Sequence, residues 1–67
     1  MLVSKNNIIV RTSDKTAFEV IAANLQTFTV CKLDYSIDDF KWIKDYSLVM
    51  SFSNNFESLE KLGFVKI

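Results

Sequence analysis

With one cysteine and no histidine among 67 residues, this chain lacks the two devices that hold most domains of its size together. Cys31 has no second cysteine to bridge to, and a tetrahedral zinc site wants several cysteines or histidines. A domain this small buries only about 60% of the surface its unfolded chain exposes. Stability must therefore come from dense packing of one core or from association with a second chain. Hydrophobic residues make up 49% of the chain and six residues are phenylalanine, which supports packing and argues against disorder. The expected organisation is one domain over residues 1–67.

Hydrophobic period divides the chain into two similar passes. NIIVRT is short and β-branched and reads as a strand. In the next stretch, SDKTAFEVIAANL, Ser13 offers a helix cap, and Phe18, Ile21 and Leu25 recur at helical spacing. TFTVCKL then returns to strand character. The second pass opens with the strand SLVMSF. NNFESLEKL follows as a short helix capped by Asn54 or Asn55, with Phe56, Leu59 and Leu62 on one face. Gly63 stands where a left-handed helix stop is needed, and FVKI reads as a final strand. Two β-α-β units predict a small α+β domain of ferredoxin-like type, a four-stranded antiparallel sheet with both helices on one face. The alternative is a small parallel sheet of strict β/α alternation, with a third helix at 37–46.

Alternation along these strands predicts an inner set of Ile8, Val10, Phe28, Val30, Leu48, Met50, Phe52, Val65 and Ile67. Ile9, Arg11, Thr27, Thr29, Cys31, Val49, Ser51, Phe64 and Lys66 then face outward. Two uses of that open face follow. Ile9, Val49 and Phe64 would form an apolar patch able to pair two copies. Arg11, Lys32 and Lys66 would be the residues of a nucleic-acid-binding surface. Nucleic acid is disfavoured as a partner by a formal net charge of zero and by the lack of aromatic residues at the stacking positions that RNA-binding sheets use.

Several other chemistries are excluded or discounted. Without histidine the commonest general base is missing, and Cys31 in a strand reads as inert packing. No enzymatic activity is expected. One glycine cannot build a phosphate cradle, so no cofactor is expected. DYSIDDFKWIKD lacks the central glycine and alternating ligands of a calcium loop. The first ten residues lack the apolar core of a signal peptide, so none is expected, and no apolar run approaches the roughly 18 residues of a membrane helix. No membrane association is expected, and the predicted compartment is the cytoplasm.

What remains is the connector DYSIDDFKWIKDYS, which holds the only tryptophan and both tyrosines. Tyr35, Asp38, Asp39, Trp42, Asp45 and Tyr46 are its candidate binding residues: aromatic anchors with a charged rim are the pattern of protein interfaces. The predicted partner is another protein with a basic or apolar groove. Whether residues 35–46 form helix or extended chain, and whether Trp42 points into the core, decides the matter. The expected function is a small non-enzymatic interaction module. Its size and Asn/Lys/Ile content give the impression of a phage or mobile-element regulator or inhibitor that binds a host protein. A small-ligand regulatory domain is a further alternative.

Overall fold

The computed structural model describes residues 2–55 and 57–67. Five strands form one antiparallel sheet: β1 (Ile8–Arg11), β2 (Ala17–Ala23), β3 (Thr27–Ser36), β4 (Lys41–Ser53) and β5 (Phe64–Lys66). Their order across the sheet is β4-β3-β2-β1-β5. A single turn of 3-10 helix, Leu59–Leu62, precedes β5. The described residues contain no α-helix, which overturns both the ferredoxin-like expectation and the β/α alternative. None of their helices is long and apolar enough to cross a membrane.

Local hydrogen bonding explains why the first expected helix is a strand. The segment read as its cap and first turn, which begins at Ser13, belongs instead to the hairpin loop of residues 12–16 between β1 and β2. Asp14 accepts a hydrogen bond from the Thr16 amide at 3.1 Å and holds the Arg11 guanidinium through two bonds, at 2.7 and 3.1 Å. Side-chain bonds of this kind favour turns over helix interiors. They also hold the Asp14 carboxyl well below the usual carboxylate range. Beyond the loop, Phe18 and Val20 are buried by strand alternation. A register shift between Val20 and Ala22 leaves Ile21 as a bulge, so the period of two breaks where the helical spacing Phe18, Ile21 looked convincing. Leu25, the third member of that stripe, is exposed in the next turn. There Asn24 Oδ1 accepts from the amides of Gln26 and Thr27, both at 2.8 Å.

The second expected helix shrinks to one 3-10 turn. Its cap is Ser58, whose hydroxyl accepts from the Glu60 amide at 3.2 Å. Phe56, placed in that helix by period, lies outside the described residues. Gly63 ends the turn at φ 87°, the left-handed stop that its position predicts. Asn54 is buried, and its side chain bonds to Leu2 and Val3 of the N-terminal segment instead of capping the turn.

The connection from β4 to β5 runs from one edge of the sheet to the other. In crossing it lays Leu59 and Leu62 over one face, and Leu2 and Val3 join them there. Beneath lie Ile9, Phe18, Val20, Phe28, Val30 and Phe64. Phe18 meets Phe64 edge-on at 5.8 Å between ring centroids, and Phe64 meets Phe52 at 5.3 Å. The expected inner positions of β3 and β4 face this core, but on β1 and β5 the faces are reversed. Ile9 and Phe64 are 0% and 2% exposed, whereas Val65 and Ile67 are 40% and 80% exposed. The surface patch Ile9, Val49, Phe64 is therefore not assembled, because two of its three members are core.

Candidate functional site

β3 and β4 are the longest strands, and they pair well beyond the start of β2. Phe18, next to the first residue of β2, lies opposite Lys32, while the β3–β4 ladder continues through Asp34↔Ile43, Tyr35↔Trp42 and Ser36↔Lys41. Of the two readings of the connector, helix or extended chain, the structure shows the extended one. It is a two-stranded ribbon that extends past the sheet and contributes to a molecule 38 × 22 × 19 Å in extent.

The tip is the four-residue turn Ile37 to Phe40. Ser36 and Asp39 close it: the Asp39 amide donates to the Ser36 hydroxyl at 3.2 Å, and that hydroxyl donates to the Asp39 carboxylate at 3.3 Å. Phe40 ends it with φ 54°, a left-handed conformation that costs a bulky residue on the order of 1 kcal/mol or more. The ring is 79% exposed, so packing returns nothing for that strain. Phe40→Asn is expected to stabilise the fold by about 1 kcal/mol, read as a melting temperature raised by roughly 4–8 °C. An unchanged or lower melting temperature would show that the turn is unstrained.

Behind the tip, Tyr35 and Trp42 stand directly opposite and meet edge-on at 5.4 Å. Cross-strand aromatic pairs of this type contribute about 0.5–1 kcal/mol, enough to stiffen a ribbon to which no third strand of the described residues pairs. Trp42 is nevertheless 58% exposed. The indole points out of the core, which answers the question on which the connector reading depends.

At the root of the ribbon the register jumps from Lys32↔Asp45 to Cys31↔Val49. Tyr46, Ser47 and Leu48 are therefore extra residues on β4. Asp45 fastens this bulge by accepting from the Ser47 amide at 2.9 Å and from its hydroxyl at 2.6 Å. The same bonds hold the Asp45 carboxyl below its usual range. Bulges re-aim side chains; here the exposed Tyr46 is turned to the wall of a groove.

That groove, about 730 Å³, lies on the sheet face opposite the core. Trp42, Ile43 and Tyr46 line one side, with Leu33, Ile8 and Ile67 among the rest. Lys44 reaches from β4 across β3 to Glu19 of β2, forming an ion pair at 3.0 Å on the groove wall. The carboxylate raises the Lys44 pKa. Burial and nearby Glu19 raise that of Cys31, which is fully buried. A thiol held protonated in this way is a poor nucleophile.

The six candidate residues thus fall into three places along one ribbon. Asp38 and Asp39 are in the tip, Tyr35 and Trp42 form the middle pair, and Asp45 and Tyr46 make the bulge. Three members of the exposed surface were not among them. Phe40 and Ile37 fall in the tip, and Lys44 pairs with Glu19 in the groove; a hairpin reading of Ser36 to Lys41 would have found the first two. The residues of the nucleic-acid alternative are differently disposed. Arg11 and Lys66 pair with core positions Phe64 and Ile9, and Lys32 with Phe18, which puts all three on the face that carries the core. Arg11 is held by Asp14 and lies 5.3 Å over the Phe18 ring, and Lys32 pairs with Asp34 at 3.4 Å.

Among the described residues no group of three or more acidic, cysteine or histidine side chains is placed to hold a metal ion. No protein-family model, curated protein or solved structure matches the chain. The description as a regulator, inhibitor or phage product thus has no support and is set aside, and function rests on the site.

Proposed function

We propose that the chain is a non-enzymatic protein-interaction module that offers the β3–β4 ribbon and the groove at its root to another protein. The observation that carries this reading is the exposure of Trp42, held 58% open to solvent on a ribbon that no other element of the described residues covers. Large aromatic residues are normally buried, and exposed tryptophan and tyrosine are the residues interfaces favour as anchors. Residues 34–46 hold four aspartates against two lysines, so the matching partner surface is basic around an apolar cleft that receives Trp42 and Phe40. We assign the module to the cytoplasm, a reducing compartment in which a lone buried cysteine needs no partner.

A second reading, a small-ligand domain, draws on the groove of about 730 Å³, which lies within the size range of small-molecule sites. Its open, ribbon-walled shape suits a protein side chain better than an enclosed ligand.

Trp42→Ala combined with Asp38→Lys distinguishes these ideas. The exposed indole contributes little to the core, so stability is expected to change by about 1 kcal/mol or less. Binding to a protein isolated on the native chain is expected to weaken by about 30-fold or more, since anchor truncations cost about 2 kcal/mol or more. Undiminished binding by a folded variant would remove the ribbon from the interface and with it this reading.

A further inference from the structure

The two halves of β4 differ in how they present the sheet's open edge. Natural edge strands are guarded against pairing with other chains by lysine, proline, bulges or short length. The ribbon half of β4 has such guards in Lys41, Lys44 and the bulge at Tyr46 to Leu48. From Ser47 to Ser53 the end of that bulge is the one guard left: SLVMSFS contains no charge and no proline, and no strand among the described residues pairs with its outer side. The core also remains open along it. Leu48, Met50 and Phe52 pack against the central cluster yet are only partly buried, although the Phe52 ring touches Phe28 at 5.5 Å.

We propose that two copies of the chain join edge to edge through Ser47–Ser53 of β4, antiparallel about a two-fold axis at Met50. Because side chains alternate between faces, a symmetric pair that continues one core face must match residues of equal parity. Centring on Met50 meets that requirement and uses the whole uncharged run. It sets Met50 against its own copy, Leu48 against Phe52 of the second copy, and Val49 against Ser51. On the core face the three half-covered side chains of each copy then cover those of the other, extending two small cores into one. On the opposite face, Val49 meets Ser51 of the second copy, whose hydroxyl is already hydrogen-bonded to Thr29 within its own chain at 2.8 Å. No like charges oppose, so the edge is self-complementary in the sense a two-fold interface demands. This pairing does not use the ribbon tip, and it stands or falls apart from the proposed function.

Sedimentation equilibrium of the full chain tests it. The native chain is expected to be dimeric at tens of micromolar. Val49→Lys puts two cations beside the axis, at an exposed position on the face away from the core, and is expected to weaken the dimer by about tenfold or more with its β-sheet circular dichroism retained. Trp42→Ala should leave the dimer intact. As an independent probe, M50C is expected to form a covalent dimer under mild oxidation, because opposed residues of an antiparallel pair lie within disulfide reach; V65C at the far strand should not. A native chain that stays monomeric at millimolar concentration overturns the proposal. So does a dimer that Val49→Lys leaves unchanged, one that Trp42→Ala dissolves, or an M50C chain that resists cross-linking.

Discussion

Asn54→Ala is expected to lower the unfolding free energy by about 3 kcal/mol or more, a large share of the roughly 3–10 kcal/mol that a domain of this length commands. Asn54 is 1% exposed and uses both ends of its amide. Its Oδ1 accepts from the Leu2 amide at 2.7 Å and the Val3 amide at 3.3 Å. Its Nδ2 donates to the carbonyls of Val3 at 3.3 Å and Asn24 at 2.8 Å. One side chain thus ties the N-terminal segment, the β2–β3 turn and the end of β4 together. Alanine would strand buried backbone donors and acceptors at once, and each such group costs about 1–3 kcal/mol. Asn54→Asp should be at least as harmful near neutral pH, since a carboxylate would face two carbonyl oxygens. Urea denaturation reads both effects. A loss below about 1 kcal/mol for alanine would mean that the N-terminal segment is not held by this residue.

Phe64→Ala is expected to cost about 3–5 kcal/mol, while Val65→Ala should cost under about 1 kcal/mol. The two residues are adjacent, but β5 turns them to opposite faces. Phe64 is 2% exposed and edge-packed on Phe18 and Phe52; Val65 is 40% exposed. The comparison is a direct test of register, because a slip of one residue exchanges the two outcomes. Equal losses, or the larger loss at Val65, would place β5 in the other register. Denaturant midpoints of the two variants, measured side by side, decide it.

That one-residue question is where sequence and structure part. The strands at 8–11, 27–33 and 48–52 are readable because Val30, Met50 and their neighbours are β-branched or alternating, and Gly63 announces its left-handed stop. Phe18 to Leu25 is not readable in the same way. Phe18 and Val20 obey a strand's period, Phe18 and Ile21 a helix's, and only the loop bonds of Asp14 and the turn bonds of Asn24 choose between them. NIIVRT and FVKI contain no break in apolar character that tells inside from outside. Ile9 and Phe64 are buried because β1 and β5 pair with each other and lie under Leu59 and Leu62, a tertiary fact with no local signature. The site was legible as a group of residues and not as a shape. Tyr35 and Trp42 stand out by type, but the turn Ile37 to Phe40, whose bulky final residue adopts a conformation glycine or asparagine prefers, disguises the hairpin.

The placement of β5 also bears on how the chain reaches this fold. The first four strands are joined in order by hairpins, so each can form from neighbouring residues. β5 pairs Lys66 with Ile9 and closes a loop of nearly the whole chain, and loop-closure entropy opposes such contacts early. The meander is then the natural nucleus and β5 the late arrival. In kinetic language, contacts absent from the transition state govern escape from the native state more than arrival at it. The shortest strand of the sheet is thus the latch that sets how long the folded molecule lasts.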